Sequence, residues 1–206
     1  MAIEQTAGKG QRGRSWEVRA GENITMSTVL QPAAYEPFLY SAAMALACYD
    51  FINGLGVENV FVKWPNDIYI GDRKAAGILI ENMMRGAFWQ WAVIGTGVNV
   101  NQDEFPSSLV KAISLKQATG VHHDLVSSAR LLHQHILSRH EWLKSVSSDK
   151  VMAEYNSRLY KKDEEVKLKN GPAVFNTVIK GVSLNGELLT YDTMERRFSV
   201  GEIEFV

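Results

Sequence analysis

The sequence predicts an α+β chain: a mixed, mainly antiparallel sheet carrying helices, followed by a small C-terminal β-barrel. Three observations lead there. Between Asn23 and Val98, β-branched and aromatic runs succeed one another, broken by one apolar segment, Glu36 to Ile52. Leu125 to Leu143 repeats apolar residues at helical spacing. From Val166 onward, short β runs alternate with the turn pairs Asn170-Gly171 and Asn185-Gly186. Strands following strands, with helices set apart, make the α+β pattern.

Taken in order, Gln5 to Gly21 contains four glycines and the cations Lys9, Arg12, Arg14 and Arg19 against one acid, Glu17. It is too glycine-rich for a helix or strand and reads as a mobile surface loop. Asn23 to Leu30 reads as a strand. Glu36 to Ile52 reads as an apolar helix ended by Gly54 and Gly56. Val60 to Trp64 is a strand stopped by Pro65. Ile68-Tyr69-Ile70 and Ala75 to Met83 flank Gly71-Asp72-Arg73-Lys74 as a hairpin, and Phe88 to Val98 is the next strand. Lys161 to Glu165 is a charged junction. The barrel strands are Val166 to Leu168, Val174 to Val182, Glu187 to Tyr191, Arg197 to Val200 and Glu202 to Val206.

At 206 residues there is room for one full domain and a small second one, read here as residues 1–160 and 161–206. A net charge of -1 gives no global field for nucleic acid or a membrane surface. No window has the apolar length of a membrane span. The start, Met1-Ala2-Ile3-Glu4, lacks a basic region followed by an apolar core, so a cytoplasmic protein is expected. One cysteine, Cys48, allows no intrachain disulfide and reads as a small buried hydrophobe. His122, His123, His133, His135 and His140 lack the i,i+4 spacing of a helical metal site and read as a solvated face.

Three segments carry candidate chemistry. Gly8-Lys9-Gly10-Gln11-Arg12-Gly13-Arg14 fits G-x-G-x-x-G, yet Arg14-Ser15-Trp16 follows with no helical run, so the dinucleotide-binding fold is refused. Glycines that expose backbone N–H groups, interleaved with cations, suit an anion and a loop that closes on binding; a solvated basic loop fits as well. In Lys63-Trp64-Pro65-Asn66-Asp67, Pro65 stiffens the strand exit and presents an amide beside a carboxylate, with Lys74 across the hairpin. That set suits a polar ligand or a hydrated magnesium ion, and equally an Asx turn with a surface lysine. Gly95-Thr96-Gly97-Val98-Asn99-Val100-Asn101 leaves bare backbone for a ligand, or is a plain strand exit.

In this order the segments resemble the biotin protein ligase family. Gln5-Thr6-Ala7-Gly8 through Trp16 looks like its biotin-binding glycine and arginine loop. Lys63 to Asp67, with Lys74, Ala76-Gly77-Ile78-Leu79 and Glu81, looks like its Lys-Trp-Pro-Asn-Asp block, the most specific part. Gly95 to Asn99 looks like its Gly-x-Gly-x-Asn segment, and the tail from Gly181 through Gly186 to Gly201-Glu202-Ile203 is similar to its SH3-like barrel. The resemblance spans nearly the whole chain and implies the class II synthetase-like fold of those ligases.

The resemblance implies a ligase that joins biotin to MgATP as biotinyl-adenylate and then to a lysine of the biotin carboxyl carrier domain of a biotin-dependent carboxylase. Lys74 would be the catalytic residue, bridging carboxylate and α-phosphate; losing such a charge costs about a hundredfold in rate. Biotin would meet Gln5, Gly8, Lys9, Gly10, Gly77 and Gly95. ATP or the adenylate would meet Arg12, Arg14, Trp16, Asn66, Asp67 and Asn99, with Asp67 also offered to magnesium. The family usually has arginine at Lys9 and often at Gln11, so faster leakage of the adenylate is expected here. Its Ser/Thr-rich biotin-contacting strand would lie upstream of Gln5, and no helix-turn-helix segment is read, so no DNA role is expected. The rival readings are a lipoate or octanoate ligase of similar fold and an impaired ligase acting as a binding module, with exposed strand edges favouring a homodimer.

Overall fold

In the computed structural model of the chain, every residue is described except Arg14, Tyr35 and Val110, and Ser108 by its backbone alone. The first sheet is built from β1 (Asn23–Leu30), β2 (Val60–Lys63), β3 (Asp67–Ile70), β4 (Arg73–Arg85) and β5 (Phe88–Asn99). Its order is β1-β5-β4-β3-β2, with every pairing antiparallel. The β3–β4 turn is tighter than the sequence implied: Gly71 and Asp72 make it, Gly71 at φ 55, so Lys74 lies within β4.

The helix α1 (Pro37–Asn53) starts on proline, whose fixed φ suits a first helical turn, and stops at Gly54. Twelve of its residues are buried, on all sides, because it lies between the sheet strands β2, β3 and β4 and the helices α3 (Leu125–Leu143) and α4 (Ser148–Ser157). Cys48 is buried there, and burial pushes its thiol up to about 12, so it packs as a small hydrophobe. A short helix, α2 (Leu115–Thr119), is set by a capping box between Ser114 and Gln117 and closed by Gly120 at φ 72. Neither α2 nor α4 was legible in advance.

The histidines of α3 correct the solvated-face reading at one position. His140 is buried, its Nδ1 3.2 Å from the Tyr40 hydroxyl. Among the described residues no group of three or more His, Cys, Asp or Glu is placed to hold a metal ion.

The tail forms β6 (Glu165–Asn170), β7 (Ala173–Val182), β8 (Leu188–Tyr191), β9 (Glu195–Phe198) and β10 (Glu204–Phe205). These pair as a five-stranded antiparallel sheet, β10-β6-β7-β8-β9. The expected barrel is therefore an open sheet among the described residues: β9 and β10 stand at its edges without a ladder between them. Leu168, Ile179, Leu188, Phe198 and Ile203 are buried in one cluster with the residues of α1 and the first sheet. Apolar burial, at about 25 cal/mol per Å², holds the two sheets together.

Hydrogen bonds sharpen that junction. Asn156 at the end of α4 exchanges two with Val182, at 3.0 and 2.7 Å. Trp64 donates its indole N–H to the Gly186 carbonyl at 2.9 Å. Residues 158–160 run along the outer edge of β2, Val62 N donating to Arg158 O at 2.8 Å and Tyr160 N to Val62 O at 2.9 Å. A sheet edge paired in this way is closed to other chains. No described helix is long and apolar enough to cross a membrane.

Candidate active site

Strands β4 and β5 set Gly77 opposite Gly97 and Leu79 opposite Gly95. Side chains alternate along a strand, so these positions share one face while Ile78, Ile94 and Val98 enter the core on the other. The result is a row of nearly bare backbone in the middle of a sheet.

Trp16 lies on this row. A Cβ at Gly97 would stand 2.4 Å from the Trp16 ring, and one at Gly77 3.2 Å from it. The loop that carries Trp16 is closed at its base: Trp16 N donates to Gly8 O at 2.9 Å and Lys9 bridges to Ser15. Gly8 is required by this close approach, since a Cβ there would fall 2.2 Å from the Trp16 carbonyl oxygen. At the tip, Gln11–Gly13 makes a 3-10 turn with Arg12 left-handed at φ 58. The segment expected as a surface loop is a loop, closed at its base.

Lys74 reaches the same place from β4. Its backbone is held on both sides, N donating to Lys111 O at 2.6 Å and O accepting from Ile113 N at 3.0 Å. Its ammonium lies 2.7 Å from Asp67 Oδ1 and 5.4 Å from the Trp16 ring centroid. Both partners are partly exposed, 32% and 23%, so the pair can be opened by a ligand that offers another anion to the lysine.

A cleft of about 1010 Å³ joins these groups. Of the residues singled out from sequence, Gln5, Lys9, Gly10, Arg12, Trp16, Asn66, Asp67, Lys74, Gly77, Gly95 and Asn99 line it. Gly8 acts at the loop base instead, and Arg14 lies outside the described residues. The two asparagines are committed through their amide nitrogens. Asn66 Nδ2 donates to the Ile78 carbonyl, and Asn99 Nδ2 lies 3.3 Å from the carbonyls of Lys74 and Ile113. They brace the strand that carries Lys74. The Arg12 guanidinium donates to Gly201 O at 2.7 Å, in the turn between β9 and β10.

Gly97, within the segment expected to leave bare backbone, belongs to the row opposite Gly77. Two further positions carry no sequence signal. Tyr155 donates to the Pro65 carbonyl at 3.1 Å; burial, and then the Asp67 charge, hold its phenol well above the usual range, so it stays a donor. Gln102 Oε1 accepts from Asn23 Nδ2 at 2.6 Å and from Arg19 N at 3.4 Å, anchoring the end of the loop segment. Neither signal exists locally in sequence, because both partners are distant.

Residues 1–99 match the model of the Biotin/lipoate A/B protein ligase family. The chain is 31% identical over 197 residues to the bifunctional ligase/repressor BirA of Escherichia coli, covering 92% of this chain and 60% of that protein. It is 40% identical over 105 residues to a biotin–[acetyl-CoA-carboxylase] ligase of Paracoccus denitrificans, covering 48% of this chain and 43% of that one. In fold it is similar to the biotin protein ligase from Aquifex aeolicus in complex with biotin and ATP, at TM-score 0.84 and 24% identity, over 100% of this chain and 87% of that one. The matched segment holds the loop, the Lys63–Asp67 block, Lys74 and the glycine row together. Over residues 1–99 the chain therefore resembles the biotin/lipoate A/B protein ligase family, it spans 60% or less of the two curated relatives, and its fold is that of the Aquifex aeolicus ligase.

Proposed function

We propose that this chain is a biotin protein ligase that activates biotin with MgATP and transfers it to a lysine of a biotin carboxyl carrier domain. The observation that carries the reading is Lys74, its ammonium 2.7 Å from Asp67 in a cleft bordered by the bare backbone of Gly77 and Gly97. In the first step a biotin carboxylate oxygen attacks the α-phosphorus; the bond to the bridging oxygen breaks and pyrophosphate leaves. In the second, the carrier lysine's neutral amine attacks the acyl carbon and AMP leaves. Negative charge grows on oxygens near one point in both steps. Lys74 is the preorganised cation for it, worth about a hundredfold in rate or more.

Biotin would lie beside Trp16 at the glycine row, with Gln5, Lys9, Gly10, Gly77 and Gly95 around it. Asn66, Asp67 and Asn99 would border the nucleotide, with Arg12 and Arg14 supplied by the loop. A magnesium ion carried on the phosphates would be held by Asp67, the carboxylate beside Lys74, which suits an ion that takes only one or two protein ligands. Closing the loop keeps water from the anhydride. Biotin is favoured over lipoate because the curated relatives cited above are described as biotin ligases or as BirA.

Residues 1–160 would form the catalytic domain and 161–206 an SH3-like module, the segment 158–160 bridged to β2 supporting a boundary there. The outer edge of β1 is covered at Thr25 by Ala2, while Val29 further along it is 55% exposed, which supports a homodimer by edge pairing in a cytoplasmic enzyme. Incubating the protein with MgATP, a carrier domain and either biotin or lipoate, and weighing the carrier by mass spectrometry, tests the activity. Addition of one biotinyl group supports it; addition of lipoate alone, or of nothing while pyrophosphate is absent too, rejects it.

A further inference from the structure

Arg12 is the only residue of the loop tip whose side chain reaches the second sheet through a hydrogen bond found among the described residues. Its Nη1 donates to Gly201 O at 2.7 Å. The acceptor is itself fixed. The turn from Ser199 to Glu202 is held by Ser199 N donating to Glu202 Oε2 at 2.7 Å and by Glu202 N donating to Ser199 O at 3.1 Å. Gly201 takes φ 85, and a Cβ built there falls 1.4 Å from Arg12 Nη1. The guanidinium therefore occupies the space that any other residue at position 201 would fill. Val200, Gly201 and Ile203 border the same cleft as Lys74 and Trp16.

From this we infer that Gly201 is a positioning residue: its carbonyl and missing side chain form a post on which Arg12 docks, so that the β9–β10 turn holds the loop tip over the cleft. Acting through Arg12, it would fix one cation where the proposed nucleotide phosphates enter; this part rests on the ligase reading. The loop base is closed by Trp16 N to Gly8 O, but its tip, with Arg12 and Gly13 both at positive φ, has no strand to stiffen it. A charge-assisted bond to a fixed carbonyl supplies that stiffness.

Amide hydrogen exchange of the loop peptide covering residues 8–15, measured on the full chain, tests the docking without any ligand. Gly201→Ala should expel the guanidinium and speed exchange of that peptide about tenfold, as should Arg12→Met. Gly171→Ala controls for backbone strain: Gly171 lies at φ 55 in the same sheet with nothing within 4 Å of its Cβ. The double variant should exchange no faster than either single one, because both remove the same contact. Loop exchange in Gly201→Ala equal to that in Gly171→Ala, or effects that multiply in the double variant, would overturn the docking. In turnover, Gly201→Ala should raise KM for MgATP about tenfold with kcat within about twofold. An unchanged KM would remove the positioning role. A wild-type chain that releases no pyrophosphate would reject the ligase reading instead, and the exchange result would still decide the docking.

Discussion

Trp64 hands its indole N–H to the carbonyl of Gly186 at 2.9 Å, so the strand exit that presents Asn66 and Asp67 is anchored in the second sheet. Gly186 is equally committed: it takes φ 85, and a Cβ there would stand 2.5 Å from the ring of Phe38. The tail is thus packed against the segment that frames Lys74. Trp64→Phe keeps most of the buried ring and removes the donor, leaving a buried carbonyl unpaired. A loss of about 1–2 kcal/mol is expected, read as a melting midpoint lower by about 3–6 °C. An unchanged midpoint would show that the bond contributes nothing.

Gly97→Ala places a methyl 2.4 Å from a rigid indole rather than from a flexible chain end. Trp16 must leave the glycine row, and one wall of the proposed acid site goes with it. Overpacking of this kind costs about 1–3 kcal/mol, here taken from ligand binding because Trp16 sits on a loop. Calorimetric titration should show biotin bound at least about tenfold more weakly. Equal affinity would mean that the row is not where the acid lies.

Gln11 begins the 3-10 turn beside Arg12 and borders the cleft. Gln11→Arg adds a cation to a loop that would face the phosphate of the adenylate. Retention of biotinyl-adenylate, followed by trapping released adenylate, should lengthen about threefold or more. Identical release from both forms would contradict the expectation of a weakened grip.

Stability should fall in mildly acidic solution. Burial, and then the nearby Lys144 charge, lower the His140 pKa below the ordinary value of about 6.5, and Glu141 opposes them only in part. A base whose folded pKa is depressed binds its proton better when unfolded, so stability is full above about pH 6.5 and falls below it. His123, lowered by burial and by His122, acts in the same direction. Glu154 and Asp192 are also lowered, by Arg139 and Arg196, but lose their contributions only at lower pH, in the carboxylate range. Urea unfolding should therefore give a smaller decline between pH 7 and pH 5.5 for His140→Gln than for the native chain. Parallel declines would assign that window to other groups.

Much of the frame was legible because it rests on local signals. The strand Asn23–Leu30 and the helix Leu125–Leu143 end where alternation and helical spacing end, and the Asn-Gly pairs mark the turns of the second sheet. What escaped rests on partners far apart in sequence. The order β1-β5-β4-β3-β2 decides that Gly77 faces Gly97, and no local pattern states it. Helix α4 was missed because only Val151, Met152 and Tyr155 mark its buried face. The barrel became an open sheet because turn signals specify hairpins, not closure between the first and last strands. Lys74 lies beside Asp67 as the hairpin implies, but in β4 rather than in the turn, since Gly71 and Asp72 alone close the hairpin and pair Ile70 with Arg73 and Tyr69 with Lys74.

The proposed chemistry turns on the ammonium of Lys74, and pyrophosphate release from biotin and MgATP in Lys74→Ala tests it most directly. The side chain is 32% exposed and its backbone bonds to Lys111 and Ile113 survive the change, so the variant should melt within a few degrees of the native chain. Its pyrophosphate release should fall about a hundredfold or more. Release at the native rate from a folded Lys74→Ala chain would contradict the mechanism.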